Sequence, residues 1–387
     1  MKDDQLEIKK GQGSQTIFYV GGGSGGHVAP LLAIHQQMLK LNKGGELNFY
    51  LVTDNRFYKP ACMLFQANPE VKIKKITAGK LRRHPNLKLS RKIMLVGYYF
   101  KNVIDIFKLI IGFFQSAYLV IKLKPSLVIS KGGYVAVPLV LASKLFGVKI
   151  VIHDSDTRPG VASKITARYA EKIFTGFETN YYSKNRAEWV GIPIIEKDFS
   201  TEEIDKFRAG QHLNAKLKTV LILGGGNGSE ALNEIIKSNL PNLLNNYNVI
   251  HQAGEGKQID FDASRLNGKY IQFGFCPQAD IFKYLKLSDV VISRAGATSI
   301  QELAYNKKPS IIIPSPYLSD QIKNVKFVEE AGAALSLNQL ELEKKPESLA
   351  LEIEKALKQS AELSTNIGKI YVADSAKKIA SEALALL

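Results

Sequence analysis

Twice in this chain a short apolar run breaks into glycines and re-emerges as a helical pattern. Thr16-Ile-Phe-Tyr-Val20 meets Gly21-Gly-Gly-Ser-Gly-Gly-His27, then the helix-patterned run Leu31–Leu41. Thr219-Val-Leu-Ile-Leu223 meets Gly224-Gly-Gly-Asn-Gly-Ser229, then a second helical run. A strand apolar on both faces belongs in a parallel sheet covered by helices, and glycine lets the chain turn sharply from one into the other. Two such openings, each followed by more strands, predict two doubly wound α/β domains. The repeat is one of architecture, not of sequence.

The other predicted strands fit this plan. In the first half they are Asn48–Thr53, Ser126–Ser130, Val148–Ile152, Lys172–Thr175 and Ala187–Val190. In the second they are Asn248–His251, Tyr270–Phe273, Asp289–Ser293 and Ser310–Ile313. Residues 195–215 are polar and charged and read as a linker with a short helix. Ligands of such sheets bind at the carboxyl ends of the strands. Those ends carry the glycine turn closing on His27, Lys131-Gly-Gly-Tyr134, and His153-Asp-Ser-Asp156. In the second half the corresponding stretch is Arg294-Ala-Gly-Ala-Thr-Ser-Ile-Gln-Glu302. Its helix would aim free N–H groups and the positive end of its dipole at a diphosphate. Thr298 and Ser299 add hydroxyls, and Glu302, one turn beyond Thr298, suits a ribose diol. The first glycine turn is neither a Walker loop, since no Lys-Ser/Thr pair closes it, nor the dinucleotide fingerprint, despite Asp54 after the second strand. A histidine at its mouth can serve as base or donor.

Charge adds a second theme. Lys and Arg number 52 against 36 acids, a net +16. Thirteen of the cations, and a single acid, Asp105, fall between Val71 and Lys124. Within that span Ile93–Ile121 is rich in Leu, Ile, Val, Phe and Tyr, with Lys101, Asp105 and Lys108 on one helical face. Three central charges argue against a spanning helix, and the pattern predicts one lying on an anionic bilayer surface. No nucleic-acid recognition module accompanies the charge, so no nucleic-acid partner is expected. Two cysteines, Cys62 and Cys276, fit a reducing compartment, and the polar start of the chain shows no signal peptide.

Taken in order, the turn ending in His27, Gly132-Gly133-Tyr134, His153 and its polar successors, Gly191-Ile-Pro193, the turn Gly224–Gly228 and the stretch Arg294–Glu302 resemble the MurG family. These are the lipid-linked N-acetylglucosaminyltransferases of peptidoglycan synthesis. The resemblance covers about residues 16–335. It implies the glycosyltransferase B architecture, two Rossmann-like domains facing across a cleft. Residues 1–196 would form an acceptor and membrane-surface domain and 197–365 a nucleotide-sugar domain. Residues 366–387 would form a C-terminal helix that packs back on the first domain. The implied reaction moves N-acetylglucosamine from UDP-N-acetylglucosamine to undecaprenyl-diphospho-muramoylpentapeptide (lipid I), giving lipid II, with inversion. The implied setting is peripheral, on the cytoplasmic face of the plasma membrane, with no cofactor and no bound metal.

Carried over residue by residue, the resemblance places Ala297, Thr298, Ser299, Ile300, Gln301 and Glu302 on the diphosphate and ribose. Phe275 and Cys276 would give backbone contacts to uracil, and Gln321 would touch the sugar. Ser24, Gly25 and Gly26 would lie near the nucleotide sugar or the acceptor diphosphate. Asp156, Gly226, Asn227 and Arg294 complete the expected binding set, the helix ends at Gly226 and Gly296 stabilising the leaving group together with Arg294. His27 and Asp154 are the candidate bases, His27 the favoured one because imidazole titrates near neutrality. The chain departs from the family at Asp154, Asp156, Ile192, Ile195 and Gly226. Ile195 stands where an Arg is usual, which leaves Arg294, Arg158 or Lys131 to supply that charge. The departures leave room for another polyprenyl or a diacylglycerol acceptor. A UDP-N-acetylglucosamine 2-epimerase and a non-catalytic sugar-nucleotide-binding subunit are the rival readings of the architecture.

Overall fold

A computed structural model of the chain describes residues 14–22, 25–80, 96–156, 158–226, 228–274 and 276–387. The chain forms two compact units. One is built from the first strand, His27–Val190 and Ala376–Leu387, the other from Gly191–Ser375.

In the first unit the strands are β1 (Gln15–Val20), β2 (Leu47–Asp54), β3 (Val71–Ile76), β4 (Leu127–Ser130), β5 (Lys149–Asp154), β6 (Lys172–Thr175) and β7 (Ala187–Trp189). They lie all parallel in the order β3-β2-β1-β4-β5-β6-β7. Helices α1 (Ala29–Leu41), α2 (Tyr58–Leu64), α3 (Val96–Leu123), α4 (Ala136–Leu145) and α5 (Val161–Thr166) connect them. Both faces of the central strands are sealed: Phe18 and Val20 on one side of β1, Ile17 and Tyr19 on the other, have no exposed surface. That two-sided burial is why these strands read as continuous apolar runs.

The second unit begins with α6 (Thr201–Gln211). Its six strands are β8 (Lys218–Leu223), β9 (Tyr247–Gln252), β10 (Tyr270–Phe273), β11 (Val290–Ser293), β12 (Ser310–Ile312) and β13 (Leu335–Ser336). Their order is β10-β9-β8-β11-β12-β13, again all parallel. Around them lie α7 (Glu230–Asn246), α8 (Gln278–Leu287), α9 (Ala297–Tyr305), α10 (Ser319–Glu330), α11 (Gln339–Lys344), α12 (Ser348–Lys358) and α13 (Ser360–Lys369). Two apolar layers, one on each side of the sheet, hold Val220, Ile222 and Val249, and Leu221, Leu223 and Ile250. The last helix, α14 (Ser375–Ala385), is fastened to the first unit. Lys172 pairs with Glu382 at 2.6 Å, and Gln15 donates to the Leu387 carbonyl at 3.1 Å.

Two local features depart from the sequence reading and a third matches it. β3, Val-Lys-Ile-Lys-Lys-Ile, hides inside the basic stretch: Val71 and Ile76 are buried, and the lysines between them charge a sheet edge. The short helix read within the linker is α6, three turns long and started by a capping box between Ser200 and Glu203. β13 is only two residues long, too short to carry a period.

Helix α3 has an unusual distribution of polarity. From Asn102 to Leu123 it is long and apolar enough to cross a membrane, with a mean hydropathy of 1.7. Yet one face is fastened to the first unit. The Gln115 side chain accepts from the Thr77 N–H at 2.6 Å. Gly112 and Gly79 let the backbones at Thr77 and Asp105 close to a distance no Cβ would permit. That inner face contains Asp105, Ser116 and Val120, all buried. The outer face shows Val103, Ile106, Phe107, Ile110, Ile111, Phe114, Tyr118 and Ile121 to solvent. The helix is therefore apolar where it is exposed and partly polar where it is packed, the reverse of an ordinary surface helix.

Candidate functional site

The carboxyl edge of the first sheet gathers a polar cluster around His27. Residues Gly25–His27 form a single 3-10 turn after the glycine run. A Cβ on Gly21 would overlap the His27 carbonyl, so glycine is needed there for the chain to double back. The imidazole lies over Gly133, whose φ of +78° and closeness to the Gly22 carbonyl both call for glycine. The ring hydrogen-bonds the Lys131 main chain, and Nδ1 has no protein partner among the described residues. The proton therefore sits on Nε2, and Nδ1 keeps a free lone pair. Burial, and then the neighbouring Lys131 charge, push this histidine down to about 4, so it is neutral at physiological pH.

Lys131 is itself almost wholly buried and bonds the Ser155 hydroxyl. Burial pulls it down to about 8, against the nearby Asp154 and Asp156, which favour its charged form. Asp154 accepts from the Tyr182 hydroxyl at 2.5 Å and from the Asp156 N–H at 3.1 Å. Asp54, at the end of β2, accepts from the Tyr134 hydroxyl at 2.7 Å. Burial first, and then these carboxylates, raise both phenols above their ordinary range and keep them as donors. The structure thus links His27, Asp154 and Asp156 through Lys131. From sequence, Lys131 was only a spare cation and Tyr182 carried no signal, being 28 residues from the carboxylate it binds.

In the second unit the turn after β8 and the start of α9 lie at the same sheet edge. Gly228 sits at φ +65° under the Ala253 carbonyl, where a Cβ would overlap. Ser229 caps α7, and its hydroxyl also accepts from Arg294 Nε at 3.1 Å and from Nη2. Arg294 Nη1 donates to the Ile313 carbonyl at 3.0 Å and to Gln339 Oε1 at 2.8 Å. The guanidinium is buried and committed to protein acceptors. Arg294 thus braces the ends of β11 and β12 to the cap of α7. Its loss strands the Ile313 carbonyl and the Gln339 amide without a donor. Arg294→Met is expected to lower unfolding free energy by about 3 kcal/mol, read by denaturant titration.

Gly296, the residue before α9, has φ −71°, open to any amino acid, and a Cβ there would meet only Ser299 Oγ at 3.6 Å. The turn does not require glycine there. What glycine leaves there is an unobstructed first turn. Ala297, Thr298 and Ser299 are partly exposed on it. Ile300 and Gln301 turn inward and are buried, Ile300 in the apolar layer and Gln301 with its amide nitrogen unpartnered among the described residues. Glu302 is pushed up to about 7 by burial, opposed by a 2.6 Å hydrogen bond from Gln278 Nε2. Cys276 is half-buried, its thiol raised to about 12 by burial. Gln321 accepts from the Ser315 N–H at 2.9 Å, shaping the turn after β12. Ile195, at the usual arginine position, is packed partly buried against the apolar layer of this unit. Ser24, Asn227 and Phe275 lie outside the described residues; Gly25 and Gly26 are in the turn before His27.

Two family models match the chain. The N-terminal domain of glycosyltransferase family 28 covers residues 17–175, and its C-terminal domain covers residues 219–383. A curated relative from Staphylococcus saprophyticus is 36% identical over 324 residues, 82% of this chain and 84% of that protein. A second, from Staphylococcus aureus strain MRSA252, is 34% identical over 84% and 86%. Both are named UDP-N-acetylglucosamine–N-acetylmuramyl-(pentapeptide) pyrophosphoryl-undecaprenol N-acetylglucosamine transferase. Among solved structures, MurG of Acinetobacter baumannii superposes with a TM-score of 0.65 at 20% identity, over 96% of this chain and 99% of that one. S. aureus MnaA with UDP superposes at 0.60 and 14%, over 96% and 98%. At these identities the structural likeness speaks for the fold alone.

Proposed function

We infer the reaction from membership: this chain belongs to the MurG family of family-28 glycosyltransferases, and it transfers N-acetylglucosamine from UDP-N-acetylglucosamine to lipid I, giving lipid II. One observation carries this reading. The likeness to the named transferases runs through both units, so the acceptor half and the donor half are both represented. The enzyme is a hexosyltransferase of peptidoglycan synthesis. It works peripherally at the cytoplasmic face of the membrane, where the exposed apolar face of α3 and the basic residues around it meet anionic lipid.

The first unit takes the acceptor and the second takes the nucleotide sugar. His27 removes the proton from the acceptor 4-hydroxyl as that oxygen attacks the anomeric carbon. The new glycosidic bond forms as the bond to the UDP β-phosphate oxygen breaks, and the configuration inverts. Nδ1 keeps its lone pair for the task, while burial and Lys131 leave the ring neutral but less basic than the near-neutral imidazole expected from sequence. Asp154, with its oxygens already held by Tyr182 and Asp156, positions the cluster instead. The charge leaving on UDP is met by the N–H groups opening α9 and by the Thr298 and Ser299 hydroxyls. Glu302 accepts from the ribose diol. On the acceptor side, Lys131 supplies the cation that Ile195 does not.

Labelled UDP-N-acetylglucosamine and a short-chain lipid I analogue test this directly. The expected product carries a β-linked N-acetylglucosamine, with one UDP released per transfer. UDP bound but no sugar transferred to this acceptor overturns the assignment of acceptor; UDP released with no transferred sugar points to the epimerase.

A further inference from the structure

Gln278 opens α8 and reaches Glu302 of α9, 24 residues on, with a 2.6 Å hydrogen bond from Nε2 to Oε1. The other end of the same amide, Oε1, is buried without a hydrogen-bond partner among the described residues. A buried amide that donates to one group and leaves its acceptor idle is half-satisfied, a costly arrangement unless a ligand completes it. Its neighbours make that ligand plain. Cys276 lies two residues before it, at the turn expected to meet uracil, and Glu302 is the residue expected to meet ribose.

We propose that Gln278 is a positioning residue of the donor site. It pins one oxygen of Glu302, leaves the other for the ribose hydroxyls, and offers its own idle oxygen to an N–H or O–H of the nucleoside. The inference rests on the donor-site reading of Glu302 and adds to it the residue that holds the carboxylate in place.

The electrostatics agree with the geometry. Burial raises Glu302 to about 7, and the Gln278 hydrogen bond works against that rise. Among the described residues no charged side chain of α8, α9 or the strands beneath contributes to the shift; Gln278 is the counterweight. A ribose diol donates two hydrogen bonds and is best received by the ionised form. A carboxyl with its pKa near 7 is mostly protonated below that pH. Nucleotide affinity therefore falls as pH drops through 7, and binding there releases a proton. Without Gln278 the carboxyl holds its proton to higher pH, so the acid limb moves upward.

The test is calorimetric titration of the full-length protein with UDP from pH 6 to 8.5, in two buffers of different ionisation enthalpy. Gln278→Leu and the near-isosteric Gln278→Met are compared with wild type and with Glu302→Gln. In both Gln278 variants UDP affinity at pH 7 is expected to fall about tenfold. The acid limb is expected to move up by about one pH unit, since one unit corresponds to about 1.4 kcal/mol of lost hydrogen bonding. Turnover at saturating donor stays near wild type. If both variants bind UDP within twofold of wild type with an unmoved limb while Glu302→Gln binds weakly, the positioning role is wrong and the donor site stands. If Glu302→Gln binds UDP as well as wild type, the donor-site reading of Glu302 fails and the inference goes with it.

Discussion

With alanine in place of His27, transfer is expected to slow by about 10²–10⁴-fold, the range for a lost general base. UDP affinity should stay within about threefold, because in the proposed reaction the imidazole serves the acceptor hydroxyl and not the nucleotide. Gly133 gives the ring a floor, the Lys131 main chain takes its one proton, and Nδ1 is left without a partner among the described residues. A histidine pushed down to about 4 is neutral throughout the physiological range. Its protonation therefore limits turnover only as pH falls towards 4, not near 6.5. Replacing Lys131 by methionine removes a charge that disfavours the imidazolium, so that limb should move to higher pH. Single-turnover transfer and UDP titration on the same preparation separate chemistry from binding. Parallel losses in the two would remove His27 from the chemical step.

The second large effect is expected at the membrane. Phe107 and Phe114 stand seven residues apart on the outer face of α3, 62% and 66% exposed. Burying one such ring is worth about 1.5–3 kcal/mol when complete, and less at a bilayer surface where part of it stays wet. About tenfold in partitioning per ring is a reasonable share, so Phe107→Ser with Phe114→Ser should weaken binding to anionic vesicles by about 100-fold. Both positions face away from the packed side of the helix, so folding and UDP binding should be spared. Sedimentation with vesicles at rising salt adds a second measurement: the apolar share persists, while the contribution of the lysines fades with the Debye length. Unchanged vesicle binding in the double variant would remove α3 from the membrane surface.

How far the residue pattern reached can be seen element by element. Tyr270–Phe273 and Lys172–Thr175 were legible to the residue, and most other strands to within one or two, because runs buried on both faces have few alternatives. The position of His27 at the mouth of a glycine turn was legible for the same reason: a strand, a turn and a helix are neighbours along the chain. β3 was not, because its lysines made an edge strand look like a charged surface, and period 2 over six residues is easily masked.

Long-range pairing was beyond local pattern. Nothing near Arg294 in the chain says that its guanidinium is spent on Ser229, Ile313 and Gln339, which are 65, 19 and 45 residues away. Nor does Glu302 announce that Gln278 holds it, or Asp154 that Tyr182 does. Whether α3 hides or shows its apolar face depended on what packs beneath it, here the backbone at Thr77 and Gly79. Chain-local order, the strands, turns and helix starts that carry the chemistry, follows from steric and solvation preferences acting over a few residues. Which side chain is charged, braced or free depends on burial and on partners that only the folded sheet edges assemble, and that part was decided in three dimensions.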